Sequence, residues 1–328
     1  MPKKIMVFDL RQPQQFEQSH AQLYGAALKM CAWADARGFD RVSLGEHHQS
    51  PDGYIPAPLL FASAIGACTE HLRVRLSILL APLYNPIRLA EEIAVADLCL
   101  GGRLDVGLGV GYVKDDFDAF GVDYSTRGRA LDELIPLLRK AWSGEPFERL
   151  GKTVRVSPRP AQDPMPIFLG GSSARGVERA ATLGDGYFPP GMPAGWKRYR
   201  ARCIELGRPD PGEYPRRGPI FLWVTNEPKA EAWEWLAPHI RHQINSYASW
   251  TEAAYGEPQG PFVPERDIES LRQGGAYEVM TPSEAIDLAN ALGADGELII
   301  NPLLAGLDVH RAWEMLELLE REVLPAIG

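Results

Sequence analysis

The feature that most constrains this chain is an alternation of short apolar runs with segments of helical periodicity, repeated along most of its 328 residues. The apolar runs are rich in Val, Ile, Leu and Phe at successive positions, as expected for a parallel sheet covered on both faces. They predict eight strands, at Lys4–Leu10, Arg41–His47, Val74–Ala81, Arg103–Gly109, Pro166–Gly170, Gly186–Pro189, Ile220–Thr225 and Glu297–Asn301. Eight strand-then-helix units predict an α/β fold, the (β/α)8 TIM barrel with insertions.

The competing architecture is a doubly wound parallel sheet, which usually carries a glycine-rich loop after its first strand. Here the first strand leads into Arg11-Gln12-Pro13 without any glycine, so the barrel is favoured. We expect residues 1–328 to form a single domain with insertions near 145–160 and 251–275. The first insertion is predicted to be a hairpin that turns at Gly151, and the second is rich in Gly, Pro and charge.

Charge and composition exclude several partners. A net charge of −9 argues against nucleic acid or an anionic membrane surface, because both require concentrated Lys and Arg. No apolar run is long enough to span a bilayer, and the start of the chain does not resemble a signal peptide. Four cysteines without paired spacing fit a reducing compartment. We therefore expect a cytoplasmic protein that binds neither nucleic acid nor membrane.

The active site of a barrel lies at the carboxyl ends of its strands, where this chain places a histidine pair. Glu46, His47 and His48 are consecutive in sequence at such an end. Adjacent side chains of a strand point in opposite directions, so these three cannot readily share one ion, and no metal site is predicted. A histidine that gives or takes a proton in the barrel mouth is the more natural interpretation, with a purely structural role as the alternative.

Two small-residue loops follow other strands. Gly170, Gly171, Ser172 and Ser173 leave a strand and open a helix, so backbone amides and hydroxyls could bind a phosphate. The alternative is a tight turn in which a serine caps the helix and no ligand is needed. The segment Gly109-Val110-Gly111 is better interpreted as a strand end that something flat approaches than as a nucleotide loop, because Tyr112 occupies the position of the third glycine.

Four ordered motifs together resemble the luciferase-like monooxygenase superfamily, the barrel flavoenzymes that include bacterial luciferase. They are the stretches GFDRVSLGEHHQSPDGY, LLAPLYNPIRLAEEIAVADLCLGGRLDVGLGVGY, DDFDAFGVDYSTRGRALDE and PIFLGGSSARGVERAATLGDGY. The resemblance runs from the first strand to about Pro190 and resumes weakly at the last strand and helix.

The resemblance implies roles for individual residues. His47 corresponds to the catalytic histidine beside the flavin, and Glu46 would orient the active-site network. A non-prolyl cis peptide is implied at Ser77–Ile78, against the isoalloxazine ring. The remaining implied cofactor contacts are Gly109, Val110 and Gly111 along the ring and Gly170, Gly171, Ser172, Ser173 and Arg129 at the phosphate. Arg127 is an alternative to Arg129, because the alignment slips there.

Activity also follows from the resemblance. It implies a monooxygenase that uses reduced FMN as co-substrate and O2. The aromatic residues of the late loops favour a small apolar or cyclic organic substrate. Since no nicotinamide-binding module is visible, a separate NAD(P)H:flavin reductase would supply the reduced FMN. The family commonly dimerises through the helices predicted at Pro58–Thr69 and Pro86–Leu100, so a homodimer is expected.

Two other functions remain open at this point. A dehydrogenase or reductase that transfers hydride with coenzyme F420 shares the barrel and the phosphate loop. A non-catalytic flavin-binding protein would bind flavin but show no dependence of any turnover on His47. The substrate itself would be recognised by residues 189–196 and 225–275, which match no motif that identifies it.

Overall fold

The computed structural model describes residues 1–189, 193–264 and 267–328. Its strands are β1 (Lys3–Val7), β2 (Arg41–Leu44), β3 (Arg73–Leu76), β4 (Leu79–Leu80), β5 (Leu104–Gly109), β6 (Phe147–Arg149), β7 (Lys152–Val154), β8 (Ile167–Gly170), β9 (Gly186–Phe188), β10 (Phe221–Val224), β11 (Tyr277–Met280) and β12 (Glu297–Ile300). Its helices are α1 (His20–Ala36), α2 (Pro58–Gly66), α3 (Pro86–Cys99), α4 (Lys114–Phe120), α5 (Arg127–Trp142), α6 (Ala174–Leu183), α7 (Pro193–Glu205), α8 (Lys229–Tyr255), α9 (Ile268–Gln273), α10 (Pro282–Leu292), α11 (Val309–Leu318) and α12 (Leu324–Ile327). Short 3-10 turns lie at Ala81–Leu83, Tyr124–Thr126 and Leu304–Gly306, and a π-helical turn at Leu319–Val323.

Each of the eight predicted strands overlaps an observed strand. The predicted strand Val74–Ala81 is divided into β3 and β4, with the peptide Ser77–Ile78 between them. One further strand, β11, was not predicted, since its four residues follow a Gly-rich stretch. The hairpin predicted at Gly151 is present, because β6 and β7 pair antiparallel on either side of Leu150 and Gly151. The predicted insertion at 251–275 includes the end of α8 and all of α9, and its residues 265–266 lie outside the described ranges.

The described chain divides into two compact units. Unit 1 comprises Met1–Ser43, Ser50–Ile55 and Pro215–Gly328, and unit 2 comprises Leu44–Gln49 and Pro56–Tyr214. In unit 1, β1 lies between β12 and β2 in a parallel arrangement, with Met6 opposite Ile300 and Val42. A second parallel pair joins β10 to β11.

Local sequence signals account for the starts of several helices. Ser19 caps α1 and Thr281 caps α10, each in a reciprocal capping box with the residue three positions later. Asn85 accepts two backbone N–H bonds at the start of α3, where Pro86 occupies the first helical position. None of the helices in the described ranges is long and apolar enough to cross a membrane.

Unit 1 buries a charged cluster beyond the end of β1. The Arg11 side chain is fully buried and donates from Nε and Nη2 to Asp9 Oδ1 and Oδ2, at 2.8 and 2.6 Å. Asp52 Oδ2 lies 3.8 Å from Arg11 Nε and 2.5 Å from His242 Nε2. Gln243 donates to Asp9 Oδ2 at 3.1 Å. We call these five residues the Arg11 cluster.

Aromatic rings enclose the arginine of this cluster. Its Cζ lies 5.4 to 5.9 Å from the ring centroids of Tyr54, Tyr247 and Trp250. The electron-rich ring faces stabilise a guanidinium that has left water. Arg11 is therefore held by two carboxylates and three rings as part of the core of unit 1.

Unit 2 contains a parallel sheet in the order β3, β5, β8 and β9, with β4 also paired to β5. All six residues of β5 are buried, as expected for a strand covered on both faces. The carboxyl ends of β4, β5 and β8 lie side by side, with Leu80 opposite Gly109 and Leu108 opposite Leu169. This edge positions the site described next.

Candidate active site

Glu46 lies within hydrogen-bond distance of three other residues of the site. It follows β2 within unit 2 and is buried. Its Oε2 accepts the Leu80 amide at 2.5 Å, and its Oε1 accepts the Tyr84 hydroxyl at 2.6 Å. His48 Nε2 lies 3.0 Å from the same Oε1. The carboxylate thus fixes the segment after β2 to β4 and to the turn that follows it.

Tyr84 remains a hydrogen-bond donor in this arrangement. Burial, and then the negative charge of Glu46, raise the pKa of the Tyr84 hydroxyl well above its usual range. The phenol therefore stays protonated at physiological pH and keeps its bond to Glu46. Nothing in the sequence marked this tyrosine beyond its place in the stretch that follows β4.

His47 and His48 contact different aromatic rings. The His47 ring is 7% exposed and meets Tyr112 edge-on, with ring centroids 5.7 Å apart. The His48 ring meets Phe120 edge-on at 4.6 Å. His47 therefore lies beside the segment that follows β5, while His48 lies between Glu46 and α4.

The Ser77–Ile78 peptide is cis, at the position that the family resemblance implied. The Ile78 side chain occupies space left by two glycines of neighbouring strands. A Cβ on Gly109 would lie 1.8 Å from Ile78 Cδ1, and a Cβ on Gly170 would lie 3.0 Å from the same atom. Any larger residue at Gly109 would displace Ile78, so the glycine is required by this close approach.

The predicted phosphate loop opens α6 with exposed polar groups. Gly171 has φ +142°, and its carbonyl accepts the Tyr187 hydroxyl at 2.5 Å. Ser172 and Ser173 are both exposed, and Ser173 Oγ accepts the Gly176 amide at 3.1 Å as the helix cap. The cap is what a ligand-free turn requires, yet the free amides and the Ser172 hydroxyl of the same turn also fit a phosphate.

The two candidate phosphate arginines lie in different environments. Arg127 donates from Nε to the Gly111 carbonyl at 3.2 Å and from Nη1 to the Tyr124 carbonyl at 2.7 Å. The Arg129 side chain is 73% exposed and lies 3.8 Å from Glu133. The structure thus places Arg127, rather than Arg129, against the Gly109–Gly111 segment.

Asp116 lies in the first turn of α4, within the stretch DDFDAFGVDYSTRGRALDE, and no sequence pattern predicts a role for it. It is 1% exposed, and neither carboxylate oxygen has a hydrogen-bond partner of normal geometry among the described residues. Burial raises the pKa of Asp116 to about 6, although His48 opposes this rise. Two adjacent carboxylates after a glycine-rich strand end were the only signal that could have indicated it.

The predicted site residues of unit 2 are joined by a chain of contacts. Ile78 contacts Gly109 and Gly170, Arg127 contacts Gly111, and the next residue, Tyr112, contacts His47. Within the described ranges, no group of three or more His, Cys, Asp or Glu side chains could hold a metal ion. Residues 190–192, part of one predicted substrate loop, lie outside the described ranges.

Comparison with known proteins gives the family. The model of the luciferase-like monooxygenase family matches residues 4–289. The oxygenase component of a flavin-dependent trigonelline monooxygenase from Acinetobacter baylyi is 32% identical over 157 residues, which cover 46% of this chain and 43% of that protein. An FMNH2-dependent dimethylsulfone monooxygenase from Pseudomonas putida is 27% identical over 283 residues, covering 80% and 76% of the two chains. The chain spans about half the length of the first curated relatives that it matches.

Solved structures show the same fold. The oxygenating constituent of 3,6-diketocamphane monooxygenase from Pseudomonas putida, in complex with FMN, matches with a TM-score of 0.75 at 20% identity, over 100% of this chain and 99% of that one. F420-dependent enzymes also match, at 16–17% identity and TM-scores of 0.61–0.68. These likenesses show the predicted (β/α)8 barrel fold. With a family model that covers most of its length, the chain belongs to the luciferase-like monooxygenase family.

Proposed function

We propose that this protein is a flavin-dependent monooxygenase that uses reduced FMN and O2 to oxygenate a small apolar or cyclic organic substrate. Family membership supports an oxidoreductase, and the names of two relatives specify a flavin and reduced FMN. The structural likeness to F420-dependent enzymes supports the fold alone, so hydride transfer with F420 is the alternative that the experiment must exclude.

One observation carries the proposal: the separate segments predicted to bind flavin contact one another within unit 2. Ile78 lies against Gly109 and Gly170, and Arg127 lies against Gly111. The helix turn at Ser172 begins two residues after Gly170. A site for a ring and a phosphate requires this convergence, which segments scattered over the chain would not provide.

The residues at this edge fit FMN. Ser77 is exposed and Ile78, Val110 and the surrounding glycines are small or apolar, as a flat aromatic ring requires. Gly171, Ser172 and Ser173 would hold the phosphate through amides and hydroxyls at the start of α6. Arg127 would add a cation, and we favour it over Arg129 because of its contact with Gly111. When bound, reduced FMN supplies the electrons that activate O2.

His47 is the proposed proton carrier. Its ring is mostly buried beside Tyr112, in surroundings that exclude bulk water. An imidazole titrates near neutral pH, so it can give or take a proton at a ring nitrogen as the substrate is oxygenated. Glu46 holds the segment that carries His47 in place through Leu80 and Tyr84.

Partners and assembly are part of the same proposal. A separate NAD(P)H:flavin reductase would supply reduced FMN, in line with the relative described as an oxygenase component. A homodimer would cover three exposed apolar side chains on α2 and α3: Leu60 (75% exposed), Val95 (45%) and Leu98 (44%). A single domain over residues 1–328, with the two insertions, and a cytoplasmic location stay predictions.

The test is titration of the protein with FMN, with anaerobically reduced FMN and with F420, followed by fluorescence and calorimetry. We expect FMN to bind, with higher affinity for the reduced form. Arg127→Gln should weaken the binding of FMN by about tenfold, because one charge-assisted contact is worth about 1.5–3 kcal/mol. The affinity for riboflavin, which lacks the phosphate, should stay unchanged. Arg129→Gln is the matched control and should change neither affinity.

Three results would contradict the proposal. Tight binding of F420 without affinity for FMN would replace oxygenation by hydride transfer. Binding of neither ligand would remove the cofactor assignment and leave the barrel. The third result is tight flavin binding together with an O2 consumption, measured with a reductase, that His47→Ala leaves unchanged. It would favour a flavin-binding protein without this catalytic residue.

A further inference from the structure

Helix α4 is fixed against the same residues that hold Glu46. Phe117 is fully buried in an apolar cluster with Leu80 and Leu83, and Tyr84 packs against that cluster. Leu80 and Tyr84 both donate hydrogen bonds to Glu46. The position of α4 is therefore coupled to the position of the Glu46 carboxylate.

One face of α4 is directed at His48. Asp116 and Phe120 are four residues apart and so share a face of the helix. The Phe120 ring meets the His48 ring at 4.6 Å, and the Asp116 carboxyl lies near enough to His48 for the imidazole charge to lower its pKa. On its other side, His48 Nε2 lies 3.0 Å from Glu46. The imidazole thus lies between two buried carboxyl groups, and the four residues Glu46, His48, Tyr84 and Asp116 form what we call the Glu46 cluster.

The carboxyl groups of Glu46 and Asp116 differ in the hydrogen bonds that the protein provides. Glu46 has three partners, whereas Asp116 has no hydrogen bond of normal geometry to any described residue. A buried carboxylate without donors costs far more free energy than a neutral carboxylic acid. The charged groups near it are His48 and Glu46 across the cluster and Asp115 on its own helix, while Lys114 and Asp118 pair with each other at the surface.

We propose that Asp116 is a positioning residue that exchanges a proton with solvent and thereby sets the charge of the Glu46 cluster next to His47. Protonated Asp116 adds no charge to the buried cluster. Ionised Asp116 adds one negative charge beside Glu46, and its proton leaves to water. The inference rests on the proposed function only for the role of His47.

The predicted titration follows from burial. Burial raises the pKa of Asp116 to about 6, in the range where His47 is expected to work. The charge of His48 lowers that pKa, so removal of the imidazole should raise it further. A purely structural aspartate, already ionised in the folded protein, would show neither behaviour.

The experiment is a 13C NMR titration of the aspartate carboxyl groups in flavin-free protein, from pH 4 to pH 8. The signal absent from Asp116→Asn identifies the residue and should titrate with a midpoint near 6. The midpoint should rise in His48→Gln. It should not move in Asp118→Asn, the matched control on the exposed side of α4. The Kd of FMN, measured by fluorescence over the same range, should change severalfold more between pH 5 and pH 7 in the wild type than in Asp116→Asn, where ionisation of the FMN phosphate still contributes.

Each outcome decides the matter. A midpoint below 4.5, or no response to His48→Gln, overturns the proton exchange. A pH-dependent Kd that is unchanged by Asp116→Asn overturns the positioning role. Since the NMR titration uses no flavin, its result stands even if FMN fails to bind, and the failure of either proposal can be told from that of the other.

Discussion

Two buried charged clusters, one in each unit, differ in how their carboxylates are hydrogen-bonded. In the Arg11 cluster of unit 1, Asp9 accepts hydrogen bonds from Nε and Nη2 of Arg11 and from the side-chain amide of Gln243. Asp52 is hydrogen-bonded to His242. In the Glu46 cluster of unit 2, Asp116 has no donor of normal geometry among the described residues. Both carboxylates of the first cluster are hydrogen-bonded, whereas the second cluster contains a buried carboxylate with no such donor.

The same difference shifts the pKa values of Asp52 and Asp116 in opposite directions. Burial alone would raise the pKa of Asp52, but the hydrogen bonds from His242 and Ser50 and the charge of Arg11 bring it below its usual value. Burial prevails at Asp116, where no comparable donors compensate. Proteins place perturbed, incompletely compensated groups at functional sites more often than elsewhere, which agrees with the position of the Glu46 cluster beside His47.

The largest expected effect comes from a substitution that disrupts the Arg11 cluster. Arg11→Met removes the cation between Asp9 and Asp52 and leaves both carboxylates buried without it. We expect a loss of about 3–5 kcal/mol in the free energy of unfolding, measured by urea denaturation. Arg129→Met, at an exposed arginine, should change stability by less than about 0.5 kcal/mol. An equal effect of both variants would show that the Arg11 cluster is not a support.

The second effect concerns the pH dependence of stability. The pKa of Asp116 is raised from 3.8 to about 6 in the folded protein, so the folded state binds the extra proton between these values. Wild-type stability should therefore fall by about 2–3 kcal/mol relative to Asp116→Asn as the pH rises from 4 to 7. Denaturation at several pH values measures the difference, and Asp118→Asn should follow the wild type throughout.

A third effect separates charged from neutral acceptors. Tyr84 donates to the Glu46 carboxylate, and Tyr124 donates to the Tyr112 carbonyl at 3.1 Å. Tyr84→Phe should cost about 2 kcal/mol of folding free energy, and Tyr124→Phe about 1 kcal/mol, because a bond to a charged group contributes more. If thermal or urea unfolding gave the reverse order, Glu46 would not be the anchor of its cluster.

The smallest effect lies at acid pH. The lowered pKa of Asp52 stabilises the folded state above the pKa of the unfolded chain, and this contribution is lost as the pH falls through the lower folded value. The stability advantage of the wild type over Asp52→Asn should thus shrink below about pH 4, opposite in sign to the trend at Asp116. Parallel curves for Asp52→Asn and wild type would remove the contrast between the clusters.

The sequence predicted the fold well, because barrel strands are continuous apolar runs and their helices carry local caps. All eight predicted strands overlap observed ones, and the cis peptide lies where the motif implied it. The strand β11 was missed, since four residues in a Gly-rich context carry too little periodicity. The start of the chain gave no indication that Arg11 would be buried, because Asp52 and the rings of Tyr247 and Trp250 that enclose it are distant in sequence.

The candidate site divides in the same way. His47, Glu46, the glycines and the serine turn are predicted from motifs, since the proposed chemistry needs particular residue types next to strand ends, and their roles stay predictions. The choice between Arg127 and Arg129 was not accessible, because a helix turns by about 100° per residue and a shift of two reverses exposure. Tyr84 and Asp116 were not assigned roles, since tyrosine and aspartate are common in exposed turns as well.

By itself, then, the sequence determined the barrel, the family and the residues that lie at the strand ends, because all of these depend on local pattern and spacing. The tertiary structure decided which charges are compensated. Glu46 and Asp116 are both acidic residues near strand ends, yet one is bonded by Leu80, Tyr84 and His48 while the other is buried without such donors. The free energy of a buried charge depends on the groups around it, and segments distant along the chain supply those groups only once it has folded.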